Sequence, residues 1–347
     1  MNISEYAYVY ARIRARMGDI LSEGRLRALI DAENKDDLLA LLIDSPYKGK
    51  LTRVTSKDLK NIESALKEEL IDQYLMVIRS TKGEIRDIFV EILRKFEVKN
   101  LKTIIRAKTV ATVSGESPLF FPVESFFGRK LSNLMEAESI EGVVKLLEDP
   151  YKEALEDVFP EYEKSKKVLI LDNALNNEIF GAIWERTEGL RAEDREIVRR
   201  IIGTEFDMAN IMTLLRCKSE RIGEKEIRSF LSPYAYAFDF DSAKAKAAMS
   251  AETVDSAIRS LPSPYKEELE KAIPSYQEGR QLLTFEYALT KFLLKTIKNT
   301  LKTYPINIGT IIGFLYLKEM EIKNLSAIAV YKENEIPAEE ITKIIIA

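Results

Sequence analysis

One helical segment is written into this chain three times, as residues 96–108, 205–218 and 320–332. Taking the asparagine of each copy (Asn100, Asn210, Asn324) as origin, an acid stands at minus three and an aliphatic residue at plus four. A lysine (Lys108, Lys218, Lys332) stands at plus eight. Other short motifs recur in the same order. Ala32-Glu33, Ala137-Glu138 and Ala251-Glu252 form one series, and Pro46-Tyr47, Pro150-Tyr151 and Pro264-Tyr265 another. Ala65-Leu66, Ala174-Leu175 and Ala288-Leu289 make a third. Copies two and three keep a constant offset of 114, as between Ala137 and Ala251 or Asn210 and Asn324. Between copies one and two the offset drifts from 105 to 110, so loops there have gained or lost residues. Internal repetition of this kind constrains a fold before any other signal does. The expected architecture is all-α, with three tandem helical domains at 1–113, 114–225 and 226–347.

The period of the signature supports helix. At about 100° per residue, Phe206, Thr213, Leu214 and Cys217 fall within about 60° of Asn210, so the asparagine sits inside the apolar stripe. A buried amide without partners costs about 1–3 kcal/mol, so each asparagine must find hydrogen bonds. The apolar neighbours favour a buried bond tying two helices of one domain. The lysine at plus eight lies near a helix end, where a cation complements the dipole.

Taken in order, Tyr6 to Arg16 is a helical start carrying Arg12, Arg14 and Arg16, with no apolar signal core. Leu26 to Leu42 reads as helix with a break near Asn34. Thr55 to Thr81 reads as a long helix ending before Lys82-Gly83, Glu84 to Phe96 as another, and the first signature helix follows. Thr112 to Pro122, with its Gly, Ser and Pro, is the best domain boundary. The most apolar run, Ile306 to Leu317, is too short to span a bilayer and fits a buried helix.

Composition removes several function classes. The chain of 347 residues has no histidine, which leaves no His-based triad, His metal site or His general base. Its single cysteine, Cys217, forms no intramolecular disulfide and reads as a small core residue. Net charge is −4 without a basic block, which argues against nucleic acid as a partner. Asp36-Asp37 and Asp239-Phe-Asp241 pair carboxylates, but no second cluster completes a metal site, so each reads as a helix start or turn. The glycines form no phosphate-cradling loop. Tyr47, Tyr151 and Tyr265 read as turn and packing residues. No catalytic, cofactor-binding or metal-ligating residue is expected.

The opening Tyr-Ala-Tyr…Ala-Arg-Ile-Arg, the thrice-repeated Pro-Tyr and the signature helix together resemble the C subunit of the archaeal/vacuolar-type (A-type or V-type) ATP synthase, a relative of the d subunit of the vacuolar ATPase. The resemblance covers the whole chain. It implies three helical domains about a pseudo-threefold axis, forming a funnel. It further implies a non-catalytic part of the central stalk at the cytoplasmic face of the membrane, linking the shaft (the D and F subunits) to the membrane proteolipid ring. The signature asparagines would then be structural or contact the shaft, and Arg12, Arg14 and Arg16 are the candidate interface residues. The charged helix starts and loops, rather than the apolar stripes, would face the ring. Val330 and Ala327 replace Arg106/Arg216 and Thr103/Thr213 in the third copy, so no role of those residues is strictly threefold. The residues alone also allow a soluble helical-repeat scaffold that binds proteins outside any ATPase.

Overall fold

The computed structural model describes residues 3–53, 58–109, 118–239, 241–303 and 306–345, and these form helices without a strand. The first copy supplies α1 (Ile3–Met17), α2 (Glu23–Asp31), α3 (Lys35–Ile43), α4 (Lys48–Leu51), α5 (Leu59–Ser80) and α6 (Gly83–Thr109). The second supplies α7 (Glu124–Phe127), α8 (Leu131–Glu136), α9 (Ile140–Leu146), α10 (Tyr151–Ser165), α11 (Val168–Glu188) and α12 (Ala192–Ser219). Helix α13 (Glu224–Phe230) runs across the border at 225/226. The third copy continues with α14 (Ala243–Ser250), α15 (Val254–Ser260), α16 (Tyr265–Glu270) and α17 (Ile273–Gly279). It ends with α18 (Leu283–Thr303), α19 (Ile308–Glu333) and α20 (Ala338–Ile344). The border at 113/114 lies outside the described residues.

Local chemistry accounts for the common pattern. In each copy the residue two after the repeated alanine caps a short helix. The side chains of Asn34, Ser139 and Thr253 accept from the backbone N–H of Asp37, Gly142 and Ser256, at the starts of α3, α9 and α15. Each cap satisfies a donor that the helix leaves open and is worth about 1 kcal/mol. The break near Asn34 is therefore an N-cap, and Asp36 and Asp37 lie in the first turn of α3, where acids favour the dipole. Residues 84–96 and the first signature copy form one continuous helix, α6, because no Gly or Pro separates them. The apolar run from Ile306 enters α19 and is buried from Asn307 to Tyr316. No helix among the described residues is long and apolar enough to cross a membrane.

Packing divides the described chain into two compact units that do not follow the copies. One comprises the described parts of Met1–Ile104, Thr112–Leu131 and Thr300–Ala347; the other comprises those of Ile105–Ala111 and Ser132–Asn299. In the first unit α19, buried on nearly all sides, packs against α5, α1 and α3. Tyr74 of α5 meets Phe96 of α6 edge-on at 5.0 Å. In the second unit α11 packs on α10 and α12, and α12 on α15. Phe180 and Phe206 stack at 3.8 Å between α11 and α12. Fully buried side chains such as Phe206, Leu214 and Leu215 each contribute about 1.5–3 kcal/mol relative to exposure. Two glycines let the segment after α13 lie close to these helices. A Cβ on Gly203 would come within 2.8 Å of the Tyr236 Cβ, and one on Gly181 within 2.8 Å of the Tyr234 hydroxyl.

Candidate functional site

The signature helices are held by their polar residues to the copy that follows. Asn210 of α12 is buried, and its amide clamps one residue of the third copy from both sides. Its Nδ2 donates to the Ser232 carbonyl at 3.0 Å, and its Oδ1 accepts from the Ser232 N–H at 2.8 Å. Asn100 of α6 repeats this on the second copy: Nδ2 donates to the Phe121 carbonyl at 2.9 Å and Oδ1 accepts from the Phe121 N–H at 2.8 Å. Both amides thus pair with a stretch of irregular backbone instead of a second helix of their own domain. Each side chain satisfies backbone groups, buried at Ser232 and half-buried at Phe121, that lie outside any helix or sheet. Asn324 of α19 is likewise buried.

The acid at minus three and the lysine at plus eight extend the hold. Asp207 accepts the N–H groups of Tyr236 and Ala237 at 2.9 and 2.7 Å, and the Tyr265 hydroxyl at 2.6 Å. Lys218 donates to the Met249 carbonyl at the end of α14. The pair α14/α15 is therefore fixed before its first helix, at its central turn and after its last helix, all by α12. Around α19 the pattern recurs on the first copy. Glu321 accepts the Leu21 N–H at 2.5 Å, just before α2, and also the Tyr47 hydroxyl, after α3. Lys318 completes this buried group, at 2.9 Å from the Glu321 carboxylate and 3.1 Å from the Tyr47 oxygen. Lys332 is buried and lines a cleft of about 600 Å³ with Asp31, Ala32 and Asn34, beside the α2–α3 turn. In the first signature helix Lys108 donates to the Met135 carbonyl at 2.6 Å, and Glu97 pairs with Arg129 at 3.1 Å.

Burial sets the electrostatics of these groups. It raises the Asp207 carboxyl above its ordinary range, against the hydrogen bonds from Tyr265 and the backbone. Burial, then the charge of Asp207, pushes the Tyr265 phenol well above its usual value; burial and Glu321 do the same to Tyr47. These tyrosines are fixed donors that stay protonated. Cys217 is buried, and burial lifts its thiol to about 11. Neither the two phenols nor the thiol is poised as a nucleophile or general base near neutral pH. Among the described residues no cluster of His, Cys, Asp or Glu is arranged to hold a metal ion.

The sequence motifs give the acid at minus three no partner, and they present Tyr47 and Tyr265 as packing residues. The structure pairs them, across 58 residues for Asp207–Tyr265 and 274 for Glu321–Tyr47. A signal was available: an acid and a hydroxyl, each repeated three times beside apolar residues, both needed polar partners. The three arginines of α1 separate. Arg12 donates to the Ser80 Oγ of α5 at 2.9 Å, and Arg16 lies beside Tyr47, Glu69 and Gln73. Arg14, about 200° away around the helix, is exposed.

Comparison with known proteins bears on the same helices. The family model of the ATP synthase (C/AC39) subunit matches residues 9–344. The chain belongs to the ATP synthase (C/AC39) subunit family. It is 29% identical to the C subunit of the A-type ATP synthase of Methanocaldococcus jannaschii, over 100% of this chain and 88% of the relative. It is 28% identical to that of Methanosphaera stadtmanae, over 100% and 89%, and 23% identical to that of Pyrococcus abyssi, over 98% and 90%. As a member of this family it is an accessory subunit of an ATP synthase, not a catalytic one.

Proposed function

We propose that this chain is a rotor adapter in the central stalk of an A/V-type ATP synthase. It receives the shaft, made of the D and F subunits, and rests on the membrane proteolipid ring at the cytoplasmic face. There it passes torque between ion translocation and ATP synthesis or hydrolysis. In this reading the copies 1–113, 114–225 and 226–347 are three helical domains about a pseudo-threefold axis, shaped as a funnel. The observation that carries the proposal is the match to the ATP synthase (C/AC39) subunit family over nearly the whole chain. The clamps add physical support. A torque-bearing part must resist shear between its elements, and buried, fully bonded contacts such as Asn210–Ser232 and Asp207–Tyr265 do so better than exposed ion pairs. The signature asparagines and lysines then serve the adapter's stiffness, and Arg14 is the arginine of α1 free to face a neighbour.

The test is reconstitution of the complex with and without this chain. Co-purification with the shaft proteins and the ring is expected, with ATP hydrolysis uncoupled from ion transport when the chain is left out. Recovery of the chain with unrelated soluble partners, and coupling that is intact without it, would favour the scaffold alternative.

A further inference from the structure

Lys332 stands apart from its two counterparts. Lys108 and Lys218, at the same place in the signature, each donate to the carbonyl of a methionine two residues before the repeated alanine, Met135 and Met249. The equivalent residue of the first copy is Ile30, and Lys332 makes no hydrogen bond to it. Among the described residues the Lys332 side chain has neither a hydrogen bond nor an ion pair, although the residue is only 8% exposed. A buried donor left in that state costs about 1–3 kcal/mol, and a charged one more. Lys332 lines the cleft of about 600 Å³ between the α2–α3 turn and the α19–α20 turn. The rest of its charged lining is acidic. Asp31, Glu33, Asp36 and Glu335 are exposed there, and their side chains have no hydrogen bond or ion pair with a described residue. Lys35 and Glu333, also in the lining, pair with each other at 2.5 Å and so leave no charge over. The cleft thus presents four unpaired carboxylates beside one ammonium that lacks an acceptor.

We infer that this cleft docks a basic protein segment, whose lysine or arginine side chains pair with the unpaired carboxylates while one of its peptide carbonyls accepts from Lys332. Two opposite demands select that class. The carboxylates attract positive charge, and the lysine needs an acceptor. A phosphate or carboxylate ligand would serve Lys332 but would face four acids of its own sign. A divalent cation finds no group of acids arranged to hold it among the described residues, and a polyamine brings no carbonyl. Nucleic acid is repelled by the same carboxylates. A basic peptide carries both of the required groups. Lys332 would make to it the carbonyl bond that Lys108 and Lys218 make within the chain. The inference is independent of the rotor reading, since its test needs no other protein of the complex.

The test measures binding of a labelled oligolysine peptide to the full chain by fluorescence anisotropy, in about 50 mM NaCl where exposed charges are weakly screened. Asp31→Asn/Glu33→Gln, at two exposed positions, is expected to bind about tenfold more weakly, from two pairs of modest strength. A control with Glu156→Gln/Asp157→Asn makes the same change of charge at exposed acids of α10 and is expected to bind as the parent does. Lys332→Met separates the inference from attraction by charge alone. Removing a positive charge from an acidic cleft would by itself tighten binding of a cationic peptide. Loss of the donor to the peptide carbonyl should instead weaken it about threefold. Spermine, which carries amines but no carbonyl, should bind Lys332→Met at least as tightly as the parent in calorimetry. Because Lys332 holds nothing within the chain, the melting temperature of that variant should not fall. Unchanged or tighter peptide binding in Lys332→Met, or an equal loss in the α10 control, would overturn the assignment. So would tighter binding of inorganic phosphate or of a glutamate peptide than of the lysine peptide.

Discussion

A single amide shows how much one side chain does here. Asn210 satisfies both the N–H and the C=O of Ser232 while its own amide is satisfied in turn, so replacing it takes a partner from two buried backbone groups of that residue. Asn210→Leu is expected to lower stability by about 2–4 kcal/mol, read as the denaturant midpoint of the isolated chain. An unchanged midpoint would remove the asparagine from the structural frame. Glu319 gives a second test at this scale. Although burial opposes its ionisation, Lys99, Lys95 and Lys323 hold its carboxyl down to about 2, from 4.5. Because the folded value is depressed, the unfolded chain binds more protons between those values, and the stabilisation is complete above 4.5. It disappears as pH falls from 4.5 towards 2. Glu319→Gln should therefore flatten the acid limb of the stability profile in that window and leave its neutral limb sloping as before, measured by urea unfolding at successive pH values.

At the scale of helices, sequence and structure divide the work unequally. The break near Asn34 and the helical runs are legible because they are local; the caps Asn34, Ser139 and Thr253, each three residues from the N–H it accepts, are equally local but emerge from the structure. That Asn210 would be buried was legible from its place in the stripe, but its partner was not. The partner is the backbone of an irregular segment, and a backbone carbonyl carries no residue-type signal. The pairing of Glu321 with Tyr47 was hidden for a different reason. It spans most of the chain, and nothing in a sequence orders one helix against another over that distance. Apolar periodicity likewise could not show that α19 packs on α1, α3 and α5. This contact can be tested on its own. Tyr47→Phe removes the hydroxyl shared by Glu321 and Lys318, leaves a buried charge pair under-satisfied, and should cost about 1–3 kcal/mol. Hydrogen exchange in α19 should accelerate more than in α12, whose own tyrosine is untouched; equal acceleration in both would mean the bond does not hold α19 locally.

For the molecule as a whole, the contacts of α19 mean that the first copy is not self-sufficient. Residues 1–113 produced alone would expose the faces of α5, α1 and α3 that α19 covers, and should show no cooperative thermal transition by circular dichroism. A cooperative melt of that fragment would contradict the packing. The same arrangement carries a statement about ancestry. Each signature helix donates its side chains forward, α6 to residues of the second copy, α12 to the third and α19 back to the first. A progenitor encoding one such unit would lack the following copy that its helix bonds here. Lending that helix to a sister polypeptide and borrowing one in return would restore those bonds. Gene fusion would then have converted an exchange among three separate molecules into a single chain, leaving the contacts of α19 with the first copy as the one exchange that no peptide bond had to bridge.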